Sequence, residues 1–203
     1  MTRPTALFWD VGGVLLTNGW DQDSRRRMAA QFDINWDEFA ERHELLAQKL
    51  DTGKLSLDQY LSQTVFYRKR DFSPAAVREF MLAESKPFPD RLALLARIAR
   101  QGKYLLATLN NESTELNLYR IERFGLRSYF TIFFSSCFLG VRKPDEGIYR
   151  QALAMTQRPP EQCVFIDDRP LNVEQACRCG LRGIQFKSAT QLETDLRQAG
   201  VEF

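Results

Sequence analysis

Two apolar runs, more than 150 residues apart, each stop on aspartate. Leu7-Phe8-Trp9 leads into Asp10, then Val11, the pair Gly12-Gly13 and a second run, Val14-Leu15-Leu16; Cys163-Val164-Phe165-Ile166 leads into Asp167-Asp168. An unbroken apolar run without polar alternation suits a strand covered on both faces, and therefore a parallel sheet. In such a sheet all carboxyl ends lie along one edge, where the ligands of open α/β sheets bind. The three aspartates are expected to meet at that edge. Carboxylates brought together repel one another, so a cation is expected between them. Gly12-Gly13 lets the chain turn sharply after the first acid.

Between about residues 21 and 85 the periodicity is helical, with no strand-like run. Asp23 or Ser24 is expected to cap a helix reaching Phe32. Asn35 with Glu38 opens a second, running to Leu50 before Gly53, and Ser56 with Gln59 a third. Ser73-Pro74 places proline at the first position of a fourth helix. Four helices fit a small bundle, and Lys86-Pro87-Phe88-Pro89 reads as a rigid return. From Asp90 helices alternate with strands at 104–109, 130–134, 163–166 and 183–186, and Pro144 is read as opening one of the helices. Such alternation implies a parallel sheet. The expected architecture is α/β: a Rossmann-like parallel five-stranded sheet built from 1–16 and 88–203, with a helical-bundle cap inserted at 17–87.

Composition excludes several classes. A net charge of +2 and the lack of a long Lys/Arg run argue against nucleic acid. No stretch approaches the ~20 apolar residues of a membrane span, and the amino-terminal run is too brief for a secretory core. Four cysteines lack zinc-type or redox spacing, so Cys163 and Cys177 read as small buried hydrophobes. The expectation is a cytoplasmic monomer or homodimer acting on a small molecule. Arg25-Arg26-Arg27 reads as a solvated face, and His43, the only histidine, as an ordinary helix residue.

Three segments carry a family resemblance: Phe8-Trp9-Asp10-Val11-Gly12-Gly13-Val14-Leu15, Arg142-Lys143-Pro144-Asp145-Glu146-Gly147-Ile148-Tyr149, and Val164 to Val173 around Asp167-Asp168. In this order and spacing the chain resembles a hydrolase of the haloacid dehalogenase superfamily with a helical cap after the first strand. The resemblance implies a phosphatase in which Asp10 attacks phosphorus and becomes an aspartyl-phosphate that water later cleaves. It implies Mg²⁺ held by Asp10, the Gly12 carbonyl and Asp168, with Asp167 bound directly or through water. Lys143 would neutralise the transferring phosphoryl group together with the ion. The substrate would be a small phosphorylated metabolite.

Two positions depart from that pattern. The family's phosphatases carry a second aspartate two residues after the nucleophile, as general acid and base; here that residue is Gly12. Positioned proton transfer is worth ~10²–10⁴-fold, so a slow enzyme, another proton donor, or a leaving group needing little help all fit. A sugar 1-phosphate is of the last kind, and a subgroup resembling alpha-glucose-1-phosphatases has the same Asp-x-Gly. Where Ser or Thr followed by Asn is expected, the chain has Thr108-Leu109-Asn110. A one-residue shift would turn Thr108 to the opposite face, so phosphate is expected to bind backbone N–H groups of Leu109 and Asn110 with the Asn110 amide. Two other readings stand beside the phosphatase: a binding or regulatory protein that lost turnover, and a metal-independent 2-haloacid dehalogenase also using Asp10. Trp20, Trp36, Tyr60 and Phe66 are candidates to line the pocket or to pack in the bundle core.

Overall fold

The computed structural model describes residues 2–203. Its centre is a wholly parallel five-stranded sheet in the order β3-β2-β1-β4-β5. The strands are β1 (Ala6–Trp9), β2 (Leu105–Asn110), β3 (Ile132–Ser135), β4 (Cys163–Asp167) and β5 (Arg182–Gln185). β1 shows why these segments are apolar throughout. Leu7 and Trp9 enter one layer with Val164, Ile166 and helices α5 (Pro89–Arg100) and α10 (Ala189–Gln198). Ala6 and Phe8 enter the other, with Phe134, Phe165 and helices α8 (Glu146–Thr156) and α9 (Pro170–Arg178). Each large side chain so buried contributes roughly 1.5–3 kcal/mol. With both faces covered, the first polar residue marks the end of the strand, and in β1 that residue is Asp10.

From β1 the chain builds outward to β2 and β3, then returns to lay β4 against the other side of β1. A reversal of this kind leaves a crevice at the carboxyl ends of the two central strands. The register makes the crevice narrow: Trp9 pairs with Ile166, and the Asp10 N–H donates to the Ile166 carbonyl at 2.8 Å.

Between β1 and α5 lie four helices, α1 (Gln22–Gln31), α2 (Trp36–Asp51), α3 (Leu57–Thr64) and α4 (Pro74–Ala83). They enclose a core of their own around Met28, Phe39, Tyr60, Leu61, Val77 and Met81. Leu116, from α6 (Thr114–Arg123) of the sheet layer, completes it. Asn35 accepts the Glu38 N–H at 3.0 Å, Ser56 and Gln59 form a full capping box, and Ser73 caps a helix with Pro74 at its first position.

Several local expectations are corrected. α1 is capped by Asp21, whose carboxylate accepts the Ser24 N–H, rather than by Asp23 or Ser24. Pro144 lies ahead of α8, which Asp145 caps by accepting the Gly147 N–H at 2.7 Å. A short helix α7 (Ser136–Leu139) and 3₁₀ turns at Leu126–Ser128 and Pro160–Gln162 were not anticipated, being too brief to carry a period. Cys177 is exposed rather than buried, although its sulfur lies over Gly183 of the edge strand β5. Among the described residues, no helix is long and apolar enough to cross a membrane.

Candidate active site

Asp10 sits one residue beyond β1, 8% exposed, at the start of a tight turn. The Leu15 and Leu16 N–H groups both donate to the Val11 carbonyl, and the Gly13 N–H to the Leu16 carbonyl. Arg91 of α5 clamps the same turn by donating to the Gly13 and Val14 carbonyls at 2.8 and 3.1 Å. The Asp10 carboxylate accepts the Val11 N–H through Oδ1 at 2.8 Å. This turn aims Asp10 into the crevice instead of letting it cap a helix.

Lys143 reaches the same point from the loop before α8. Its Nζ lies 3.1 Å from Asp10 Oδ1 and 2.5 Å from Asp167 Oδ2, and the residue is 3% exposed. Asn111, just past β2, holds the loop in place: its Oδ1 accepts the Lys143 N–H at 2.8 Å and its Nδ2 donates to the Lys143 carbonyl at 2.9 Å. Asp167 is fully buried, accepting the Arg169 N–H at 2.8 Å and the Asn172 amide at 3.0 Å on each oxygen. Asn172 thus holds both the loop and the acid that orients Lys143. Asp168 is more open, and its carboxylate lies against Gly13.

One ammonium faces three acids. Oxygens of Asp10, Asp167 and Asp168 lie within 4.8 Å of one another. Burial pushes Asp10 up to about 7; Lys143 pulls it down, and repulsion from Asp167 and Asp168 adds to the rise. Asp168 is raised for the same reasons, burial first and Asp167 second. Burial disfavours the Lys143 charge, but Asp10 and Asp167 outweigh it and hold the ammonium above its usual range. An all-oxygen donor set with surplus negative charge fits a hard divalent cation.

The structure therefore brings Asp10, Gly12, Lys143, Asp167 and Asp168 to one edge, as expected. It does not bring Leu109 and Asn110 to the cavity. Leu109 packs under the sheet with Phe8 and Phe134. Asn110, 2% exposed, donates its amide to Asn117 at 3.2 Å and accepts the Ser135 hydroxyl at 2.8 Å. Thr108 is buried on the opposite face, its hydroxyl without a partner. Asn111, Glu112 and Ser113 line the cavity beyond the strand end instead.

The space beside Gly12 is filled. A Cβ there would lie 3.0 Å from Asn18 Oδ1 and 3.5 Å from Arg120 Nη1. Arg120, 2% exposed, donates to the Ser85 hydroxyl and the Thr17 carbonyl and pairs with Glu112 at 2.8 Å. Burial pushes Glu112 up to about 7 against the pull of Arg120.

Above the acids a cavity of about 680 Å³ separates sheet edge and bundle, within the size range of small-molecule sites. Trp20, Arg25, His43 and Asp51 line it from the bundle, Arg142 and Arg169 from the sheet side. Of the aromatic candidates only Trp20 lines the cavity; Tyr60 is fully buried behind it, accepting the Trp20 indole N–H at 3.1 Å. Arg25 and His43 went unrecognised because helical spacing cannot say which side of a half-buried helix meets another layer. Arg26 stacks over Trp36 and Arg27 pairs with Glu84, in keeping with the solvated face expected of them.

Residues 4–179 match the family model described as haloacid dehalogenase-like hydrolase. The chain is 26% identical over 196 residues to flavin mononucleotide hydrolase 1 of Arabidopsis thaliana, covering 96% of this chain and 77% of that protein. It is 31% identical over 98 residues to the phosphoserine phosphatase of Thermus thermophilus, a match spanning 48% of this chain and 39% of that enzyme. Among solved structures, an enzyme of the same family from Bacteroides thetaiotaomicron superposes with a TM-score of 0.79 at 18% identity, over 92% of this chain and 95% of that one. That enzyme has also been solved in complex with magnesium and inorganic phosphate.

Proposed function

Since the chain belongs to the haloacid dehalogenase-like hydrolases, we propose that it is a Mg²⁺-dependent phosphomonoesterase working through an aspartyl-phosphate on Asp10. One observation carries the reading: oxygens of Asp10, Asp167 and Asp168 gather within 4.8 Å, with the Lys143 ammonium between two of them. The phosphatase names of the relatives and the magnesium–phosphate complex of the Bacteroides enzyme support it.

Asp10, Asp168 and the Gly12 carbonyl would hold the ion, with Asp167 engaged directly or through water. The bound cation would supply charge neutralisation for the transferring phosphoryl oxygens. A carboxylate oxygen of Asp10 attacks phosphorus, the ester P–O bond breaks, and the leaving oxygen departs with its electron pair. Lys143 offers its protons to the phosphoryl oxygens while its contact with Asp167 keeps it in place. Water then attacks the phosphorus of the acyl phosphate, releasing inorganic phosphate and restoring Asp10. Residues 17–87 act as a cap that excludes water over a core of 1–16 and 88–203.

Gly12 carries no proton donor, and its surroundings are occupied by Asn18 and Arg120. This favours substrates with good leaving groups, an anomeric sugar phosphate being one such class. Phosphate release from acetyl phosphate or p-nitrophenyl phosphate should require Mg²⁺ and fall at least ~10³-fold in D10N. Halide release from a 2-haloacid without metal would move the assignment to a dehalogenase. Binding of Mg²⁺ and phosphate with no turnover of any phosphorylated metabolite would mark a protein that only binds.

A further inference from the structure

The cavity wall away from Asp10 carries cations with nothing to neutralise them. Within the cavity, Arg142 pairs with Asp51 at 2.7 Å, Arg120 with Glu112 at 2.8 Å, and Lys143 with Asp10 and Asp167. Arg25 and Arg169 form no ion pair with any described residue. Arg25 is half-buried; one terminal nitrogen donates to the Trp20 carbonyl, while its buried Nε has no partner. Arg169 is exposed and lines the same cavity through the loop after β4. The acids near Arg25 are already committed: Asp21 caps α1, and Asp51 holds Arg142.

The field these groups create is felt by their neighbours. Burial lowers Arg25 from its ordinary value, Asp21 and Asp51 attract it from a distance, and Arg169 repels it. Burial pushes His43 down to about 4, and Arg25 and Arg142 push it further in the same direction. Three guanidinium groups from three separate segments thus bear on one wall. Unpaired guanidinium groups in a cavity present forked donors to an anion of planar or tetrahedral oxygens.

We propose that Arg25 and Arg169, with Arg142 beside them, form a second anion subsite, so that the substrate carries an anionic group on its leaving-group end in addition to the phosphoryl group. The inference rests on the phosphomonoesterase reading for the first anion, and on this cavity wall alone for the second. A phosphomonoester bearing a carboxylate or a second phosphate would lie with its phosphorus at Asp10 and its other anion under α1.

Calorimetric titration of the whole protein with Mg²⁺ present tests this without turnover. The probes are propylphosphonate, 3-phosphonopropionate and propane-1,3-bisphosphonate. Either doubly anionic probe should bind at least about tenfold tighter than propylphosphonate, and the better of the two identifies carboxylate or phosphate as the second group. In R25Q and R169Q that ratio should collapse toward one, and in R25K most of it should survive. Equal affinity for all probes in the unmodified protein, or an unchanged ratio in both glutamine variants, would overturn the subsite. If no phosphonate binds, the phosphoryl site is misassigned, and succinate alone then decides: saturable binding lost in R25Q keeps the subsite, and no binding removes it.

Discussion

Gly13 and Asp168 touch: a Cβ built on Gly13 would lie 2.3 Å from Asp168 Oδ2, and Gly13 itself holds a φ of 76°. The turn after the first strand therefore leaves room for the last acid only because it carries no side chain. Gly13→Ala should meet both costs, roughly 1–2 kcal/mol of backbone strain and displacement of the carboxylate. Expected are a Tm lowered by several degrees and Mg²⁺ affinity weakened at least about tenfold. Gly102→Ala is the matched control, since Gly102 has a φ of 61° with nothing within 4 Å. It should show the thermal loss and bind metal normally.

Among the described residues, Lys143 is the sole ammonium against Asp10 and Asp167. Breaking a buried ion pair from one side typically costs about 3–5 kcal/mol, because the opposite charge is left uncompensated. Lys143→Met should lower thermal stability by that order and abolish phosphate release. Added Mg²⁺ should recover part of the stability and none of the activity. Equal melting of the variant with and without Mg²⁺ would count against a shared cation site.

The Tyr60 hydroxyl accepts the Trp20 indole N–H at 3.1 Å and shares a hydrogen bond of 2.8 Å with His43 Nδ1. Burial, reinforced by Arg25 and Arg142, holds His43 near 4 against an unfolded value near 6.5. The unfolded chain therefore takes up a proton in this window before the folded chain does. Stability contributed by neutral His43 is present above about pH 6.5 and is lost as pH falls toward 4, by ~2 kcal/mol in all once solvent access is allowed for. Denaturant unfolding of the protein and of His43→Gln at pH 7.5, 6 and 5 should give curves that converge on acidification.

Restoring an aspartate at position 12 should not restore an acid–base catalyst. The backbone accepts a side chain there, but its Cβ would lie 3.5 Å from Arg120 Nη1. The new carboxylate would compete with Glu112 for Arg120 and stay away from the leaving oxygen. Gly12→Asp should fold, and its kcat on an alkyl phosphate should change less than about tenfold, against the ~10²–10⁴-fold of positioned proton transfer. A hundredfold gain would show that the space is free for catalysis.

The sheet was legible because its signals are local and periodic. An apolar run as long as a covered strand, closed by an acid, places that acid at the edge once helices intervene and the strands run parallel. Asp10, Asp167 and Asp168 could be brought together from their positions in the chain alone, and the pattern around Lys143 added the ammonium. The helix caps at Asn35, Ser56 and Ser73 were readable for the same reason, each requiring partners only three residues away.

Other parts of the site depend on how distant surfaces dock. Asn111 clasps the backbone of Lys143 across 32 residues of sequence, and nothing near either residue announces the contact. Asn110 looked available for phosphate until Ser135 and Asn117 claimed its side chain. Arg25 read as one of three solvated arginines because its helix gives no sign that a sheet edge lies opposite. Hydrophobic periodicity states which residues turn inward, and that is enough to build each layer. Which polar groups then face one another across the gap is decided only when bundle and sheet come together, since that pairing is set by three-dimensional distance and leaves no period in the chain.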